Sequence, residues 1–92
     1  MAENRGRFDQ ELVKALSHPI RVEILETLRN RVASPRELSQ EMNERLGVIS
    51  YHANTLVKCG CLELVHVEPR HGTVENFFGL SPRLARARDS LL

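Results

Sequence analysis

The chain has 92 residues, of which 13 are Lys or Arg and 12 are Asp or Glu, so its formal net charge at pH 7 is +1. This length suits one small domain, and the near-neutral balance excludes a uniformly basic nucleic-acid binder, so any basic footprint must be local. We expect a cytoplasmic protein outside the membrane, because no charged-then-apolar leader opens the chain and no apolar run approaches the roughly 20 residues of a spanning helix.

The first residues predict a flexible terminus followed by helices. Residues 1–7, MAENRGR, carry no apolar periodicity, whereas residues 8–92 are expected to form one domain. A first helix is predicted from Phe8 and stops before Pro19, because the residue before a proline is disfavoured in a helix. Pro19 suits the first position of a second amphipathic helix. The apolar residues of these two helices are Leu12, Val13 and Leu16, then Ile20, Ile24, Leu25 and Leu28.

The third helix has a clear start signal. Ser34 is a capping residue, Pro35 suits the first helical position, and Glu37 completes a capping box. We expect this helix to bury Leu38 and Met42 and to end at Asn43, which tolerates a left-handed conformation.

A fourth helix is predicted over about residues 47–58 and is closed by Gly60. Its apolar residues recur at helical spacing, and polar residues lie between them. The polar set comprises Ser50, Tyr51, Asn54 and Lys58. Such side chains are often only solvated surface, and their spacing alone does not distinguish that interpretation from a binding face.

The remaining residues predict a β-hairpin and a last helix. LELVHVE and VENFFGL alternate apolar and polar residues around the turn cluster PRHGT, which indicates a hairpin over about residues 63–80. Its tip carries Arg70 and His71. The final segment, SPRLARARDSLL, predicts a short basic helix with Leu84 and Leu91 on one seam.

Three helices, a tight turn before the next helix, and a hairpin form the order of a winged helix-turn-helix domain, a mainly α fold with a β-hairpin. The blocks ALSHPIRVEILETL, SPRELSQEM and GVISYHANTLVKCGCLELV resemble those of the ArsR-type (arsenic-repressor-like) transcription regulators, from about Phe8 to Leu80. The resemblance implies that the fourth helix lies in the DNA major groove, that the hairpin is a wing, and that the first and last helices dimerise. Carried over by position, the residues facing DNA are Gly47, Val48, Ser50, Tyr51, Asn54 and Lys58, with Arg70 and His71 at the wing tip.

The chemistry of these residues agrees with that role. The Asn54 amide can pair with an adenine edge, the hydroxyls of Ser50 and Tyr51 can reach bases or phosphates, and Lys58 suits a phosphate. The hypothesis is therefore a sequence-specific, homodimeric regulator of transcription that binds double-stranded DNA. The alternative is a winged-helix module that binds another protein, because the same fold hosts both functions.

The family's metal sites cannot be transferred to this chain. The third helix contains no cysteine, and the last helix offers only Asp89 as a ligand, so we expect neither a metal nor a cofactor. Free cysteines are commonly small buried residues, which favours a packing role for Cys59 and Cys61. A thiol sensor, or a metal site completed by His52 or His66, is the alternative.

Enzyme signatures are also missing from the sequence. No nucleophile comes with a recognisable histidine and acid, and no glycine-rich phosphate loop occurs, so we do not expect an enzyme. We expect His18 to lie at the start of the second helix and His52 to pack or form a hydrogen bond.

Overall fold

The computed structural model describes residues 10–91, and describes side chains as far as residue 86. The segment 1–7, expected to be flexible, lies outside the described residues. Within them the chain is mainly α-helical with one antiparallel β-hairpin, as predicted. The elements are α1 at residues 10–15, α2 Pro19–Thr27, α3 Pro35–Met42, α4 Leu46–Lys58, β1 Leu62–Arg70, β2 Thr73–Leu80 and α5 Pro82–Leu91.

The starts of α2 and α3 follow the predicted local signals. His18 caps α2, and its Nδ1 accepts a hydrogen bond from the Ile20 amide at 3.1 Å. Ser34 caps α3 through the full capping box: its Oγ accepts from the Glu37 amide at 3.2 Å, and its own amide donates to Glu37 Oε1 at 3.1 Å.

A three-residue turn, residues 43–45, joins α3 to α4. Asn43 adopts the predicted left-handed conformation, with φ 52°. The Ser39 hydroxyl donates to the Glu44 carbonyl at 2.6 Å, and the Glu44 amide donates to the Ser39 carbonyl at 3.0 Å. These bonds fix the angle between the two helices of the helix-turn-helix unit.

The end of α4 is a Schellman motif. Gly60 has φ 79°, and its amide donates to the Val57 carbonyl at 3.0 Å, while the Cys61 amide donates to the Leu56 carbonyl at 2.9 Å. The chain therefore turns directly into β1. At its other end α4 begins at Leu46, one residue before the expected start.

The hairpin forms the predicted wing. Its two-residue tip, His71 and Gly72, has φ values of 47° and 82°, and two positive values are typical of a type I′ turn. The free edge of β2 also pairs with Ala33, because Ala33 and Phe78 exchange backbone hydrogen bonds of 3.1 and 2.9 Å. The base of the wing is thus held by the connection between α2 and α3.

The core is formed by the helices together with the base of the hairpin. Its buried apolar residues are Ala15, Ile24, Leu25, Leu28, Ala33, Leu38, Ile49, Ala53, Leu56, Cys59, Cys61, Leu62, Phe78 and Leu84. Leu12, Ile20 and Met42 pack against this cluster while remaining partly exposed.

The apolar surface left for a second subunit differs from the expected one. The predicted seam of the last helix left Leu84 either for a second subunit or for packing within its own chain. Leu84 packs into the core of its own chain and is only 9% exposed. Leu91 lies beyond the described side chains. On α1, Ala15 is fully buried and Val13 is 71% exposed, and Leu16, which directly follows α1, is 48% exposed. No helix within residues 10–91 is long and apolar enough to cross a membrane.

Candidate nucleic-acid interface

The helix α4 has a buried side and an open side. Its buried side packs into the core through Ile49, His52, Ala53 and Leu56. On the opposite side lies a row that we call the α4 stripe, which consists of Gly47, Tyr51, Asn54 and Lys58. All four are exposed, and spacings of three and four residues place them on one face. The α4 stripe contributes nothing to the core, so its residues are available for a partner.

Two of the predicted contact residues lie beside the α4 stripe rather than on it. Val48 and Ser50 are half-buried, so Ser50 does not share the fully exposed face of Tyr51. A helix rotates by about 100° per residue, which places Ser50 on the flank of the stripe.

The sequence did not single out Thr55, whose hydroxyl donates to the Tyr51 carbonyl at 3.0 Å.

An open groove of about 320 Å³ lies between the helix-turn-helix unit and the wing. Ser50 lines it, together with Arg70 at the end of β1. The other lining residues are Pro35, Arg36, Leu46, Thr73, Val74, Glu75 and Asn76. The groove brings together residues of α3, α4 and the wing. His71 is exposed at the tip and is not among the lining residues.

Glu75 on β2 connects that strand to β1 and to the start of α3. Its Oε1 accepts a hydrogen bond from Arg70 Nη1 at 3.2 Å, and its Oε2 accepts one from the Ser34 hydroxyl. The Ser34 bond, followed by the nearby charge of Arg70, lowers the pKa of the Glu75 carboxyl below its ordinary value. The sequence did not indicate this contact, because Ser34 and Glu75 are 41 residues apart.

The opposite side of α4 is tied to α2 by a buried ring. Arg21 Nε donates to His52 Nδ1 at 3.1 Å, and the His18 and His52 rings lie 4.3 Å apart. Burial, followed by electrostatic interactions with His18 and with the positively charged Arg21, lowers the pKa of His52. The expected packing and hydrogen-bonding role of His52 is therefore confirmed, as is the position of His18 at the start of α2. Arg21 also donates to the Lys14 carbonyl at 3.1 Å, which links α1 to the same cluster.

The two cysteines are free and belong to the core. Cys59 is 5% exposed and Cys61 is fully buried. Burial raises the pKa of both thiols, that of Cys61 to about 11, so the reactive thiolate is disfavoured at neutral pH. These observations fit the packing role. Among the side chains that the structure describes, those of residues 10–86, no three from His, Cys, Asp or Glu cluster closely enough to hold a metal ion.

Comparison with known proteins identifies the fold. Neither a protein-family model nor a curated protein sequence matches the chain. Among solved structures, HlyU from Vibrio cholerae N16961 has a TM-score of 0.73 and 25% identity, over 99% of this chain and 94% of that one. The transcriptional regulator HlyU from Vibrio vulnificus CMCP6 has a TM-score of 0.68 and 24% identity, over 97% of this chain and 88% of that one.

A third structure is the homodimeric winged helix-turn-helix DNA-binding domain of Mb0332 from Mycobacterium bovis, a possible ArsR-family transcriptional regulator. It has a TM-score of 0.72 and 20% identity, over 91% of this chain and 74% of that one. These neighbours confirm the predicted winged helix-turn-helix fold, and the resemblance to ArsR-type regulators is confirmed in structure.

Proposed function

From this ArsR-type winged helix-turn-helix structure, we propose that the chain is a cytoplasmic, sequence-specific regulator of transcription that binds double-stranded DNA. The observation that carries the proposal is the α4 stripe, which follows the helix-turn-helix turn, faces away from the core and has the wing beside it. In the proposed complex α4 enters the major groove, and the wing contacts the adjacent backbone or minor groove. The functional domain is assigned to residues 8–92.

Each residue of the interface has a chemical role in this proposal. Asn54 reads an adenine edge, while Tyr51 and Ser50 supply hydroxyls to bases or phosphates. Gly47 and Val48 allow the first turn of α4 to approach the duplex closely. Cationic side chains then anchor the complex on the backbone, with Lys58 at the end of α4 and Arg70 at the wing, and the His71 ring at the tip can donate a hydrogen bond.

The near-neutral charge of the chain favours few phosphate contacts per subunit, and a homodimer doubles their number. We propose that α1 and α5 form the dimer interface. The exposed Val13 on α1 and Leu16 directly after it support this assignment, as does the homodimeric state of the Mycobacterium bovis domain. Leu84 is excluded from the interface because it packs within its own chain.

The alternative is a winged-helix module that binds a protein. The solved neighbours favour the DNA-binding regulator, because they include transcriptional regulators and a DNA-binding domain. No catalytic role is proposed for any residue, since neither the sequence motifs nor the neighbours point to an enzyme.

The test is enrichment of bound duplexes from a random pool, followed by titration of the best duplex and a scrambled control at about 50 and about 200 mM salt. We expect enrichment of one sequence and much tighter binding to it than to the control. We also expect a shallow salt dependence, because few phosphates are neutralised. Absence of enrichment, with equal binding of both duplexes, would contradict the proposal and favour the protein-binding alternative.

A further inference from the structure

We propose that Glu75 is a positioning residue for DNA binding: its carboxylate attaches the wing to the start of α3 and holds Arg70 toward the groove, ready for a phosphate. This inference rests on the proposed function. It assigns a role to an acidic side chain at an interface where acidic side chains are otherwise unfavourable.

The contact with Ser34 gives the wing a fixed attachment. The Ser34 side chain is fully buried, and its Oγ already accepts the Glu37 amide in the capping box. A hydroxyl has a single proton, and here that proton is donated to Glu75 Oε2. The bond therefore couples the cap of α3 directly to β2.

The second oxygen of the carboxylate orients Arg70. Arg70 Nη1 donates to Glu75 Oε1 at 3.2 Å. The Glu75 side chain is only 11% exposed, whereas that of Arg70 is 44% exposed, so the acid is covered while the guanidinium still faces the groove. A guanidinium has five N–H donors in a rigid fork, so one bond to Glu75 leaves donors that can bind a phosphate.

Beyond its base, the wing packs on little of the domain, so the bond between Glu75 and Ser34 is important for its position. The residues of β1 after Leu62 are all exposed, and an isolated hairpin is only marginally stable. Its base is held by the backbone bonds between Ala33 and Phe78. Glu75 lies three residues nearer the tip along β2, where it supplies the second attachment and fixes the direction of the wing.

Charge alone and positioning make opposite predictions for Glu75. A carboxylate beside the DNA backbone repels phosphates, so by charge alone its removal strengthens binding. If Glu75 positions Arg70, its removal weakens binding. The sign of the change in affinity therefore separates the two effects.

The experiment compares Glu75→Gln with the matched control Glu68→Gln, using the full chain and its enriched duplex. Glu68 lies directly opposite Glu75 across the hairpin, is well exposed and pairs with His66. Both changes remove one negative charge from the wing. We expect Glu75→Gln to bind the duplex roughly two- to fivefold more weakly, the range of a partly exposed ion pair, and Glu68→Gln to bind equally or more tightly.

Two further variants check that the effect of Glu75→Gln comes from the positioning of Arg70. Glu75→Asp keeps the charge but shortens the side chain, so it should also weaken binding; it substitutes for Glu75→Gln if that variant fails to fold. In an Arg70→Ala background, Glu75→Gln should cause no further loss, because its effect acts through Arg70. Unfolding curves in urea establish that the variants compared are folded.

The outcomes separate the two proposals. If the parent binds its duplex and Glu75→Gln binds as tightly as Glu68→Gln does, the positioning role is overturned and the proposed function stands. If Glu75→Gln and Arg70→Ala reduce the affinity independently and their effects add, the positioning role is also overturned. A parent that selects no duplex overturns the proposed function itself.

Discussion

At the scale of single residues, His52 links the back of α4 to α2. Its Nδ1 accepts a hydrogen bond from Arg21, and its ring packs on that of His18. An imidazolium carries a proton on each nitrogen and cannot accept this bond. The titratable or charged groups around it are His18 and Arg21 on the α2 side and Glu44 in the turn, with Tyr51 beside it on α4.

This arrangement predicts a loss of stability in mild acid. The pKa of His52 in the folded chain lies below its ordinary value of 6.5, so the unfolded chain binds the proton more readily. The contribution of His52 to the free energy of unfolding is present above pH 6.5 and is lost as pH falls below it. Urea unfolding on either side of that pH measures the loss.

The control is His52→Gln, which retains an acceptor for Arg21 but does not titrate. Its stability should fall less than that of the parent over the same pH interval. An identical fall in both proteins would show that other groups cause the pH dependence.

At the scale of elements, local signals predicted the ends of helices and long-range contacts could not be predicted. The capping box of Ser34 and Glu37 and the left-handed Asn43 depend on residues close in sequence, and both are present as expected. The start of α4 was missed by one residue because Arg45 makes no side-chain cap bond and carries no capping signal.

The candidate site was predictable only in part for the same reason. Helical spacing grouped Tyr51, Asn54 and Lys58, and the resemblance added Gly47, but neither could show that Ser50 lies beside the groove. The Arg21–His52 contact joins residues 31 apart, and the Ser34–Glu75 contact joins residues 41 apart. Neither pair has a signature in the sequence, because tertiary packing brings the partners together.

Gly47 provides a test of the close approach of α4 to DNA. A Cβ at this position meets no other atom within 4 Å. We expect Gly47→Ala to keep or raise the free energy of unfolding, by up to about 1 kcal/mol, because alanine favours the helix. Binding to the enriched duplex should nevertheless weaken, since the methyl group occupies space between α4 and the DNA.

Gly60→Ala is the matched control. Gly60 has φ 79°, so alanine there should lower the free energy of unfolding by about 1–2 kcal/mol. DNA binding by the folded fraction should remain unchanged, because Gly60 is not among the residues proposed to contact DNA. Unchanged binding by Gly47→Ala would remove Gly47 from the proposed interface.

At the scale of the whole molecule, one subunit leaves apolar surface on α1 uncovered. Val13 is 71% exposed, and we expect it to pack against a second subunit. A dimer places two α4 helices in successive major grooves, about 34–36 Å apart, on an inverted repeat. Sedimentation at micromolar concentration should therefore show a dimer, and Val13→Glu should shift it toward monomer.

Binding measurements complete that test. Val13→Glu should bind the full inverted repeat more weakly than the parent while retaining its affinity for a single half-site. A parent that sediments as a monomer, and binds one half-site as tightly as the full repeat, would refute the dimer and leave DNA binding intact.

The central claim is that the α4 stripe reads base pairs in the major groove. Its most direct test measures the affinities of Asn54→Ala and Lys58→Ala for every single-base variant of the enriched duplex, at two salt concentrations. Asn54→Ala should lose about 1–3 kcal/mol of discrimination at one base pair, whereas Lys58→Ala should weaken all duplexes alike and reduce the salt slope by about 1. If the two variants behave identically across all the duplexes, the α4 stripe does not read sequence.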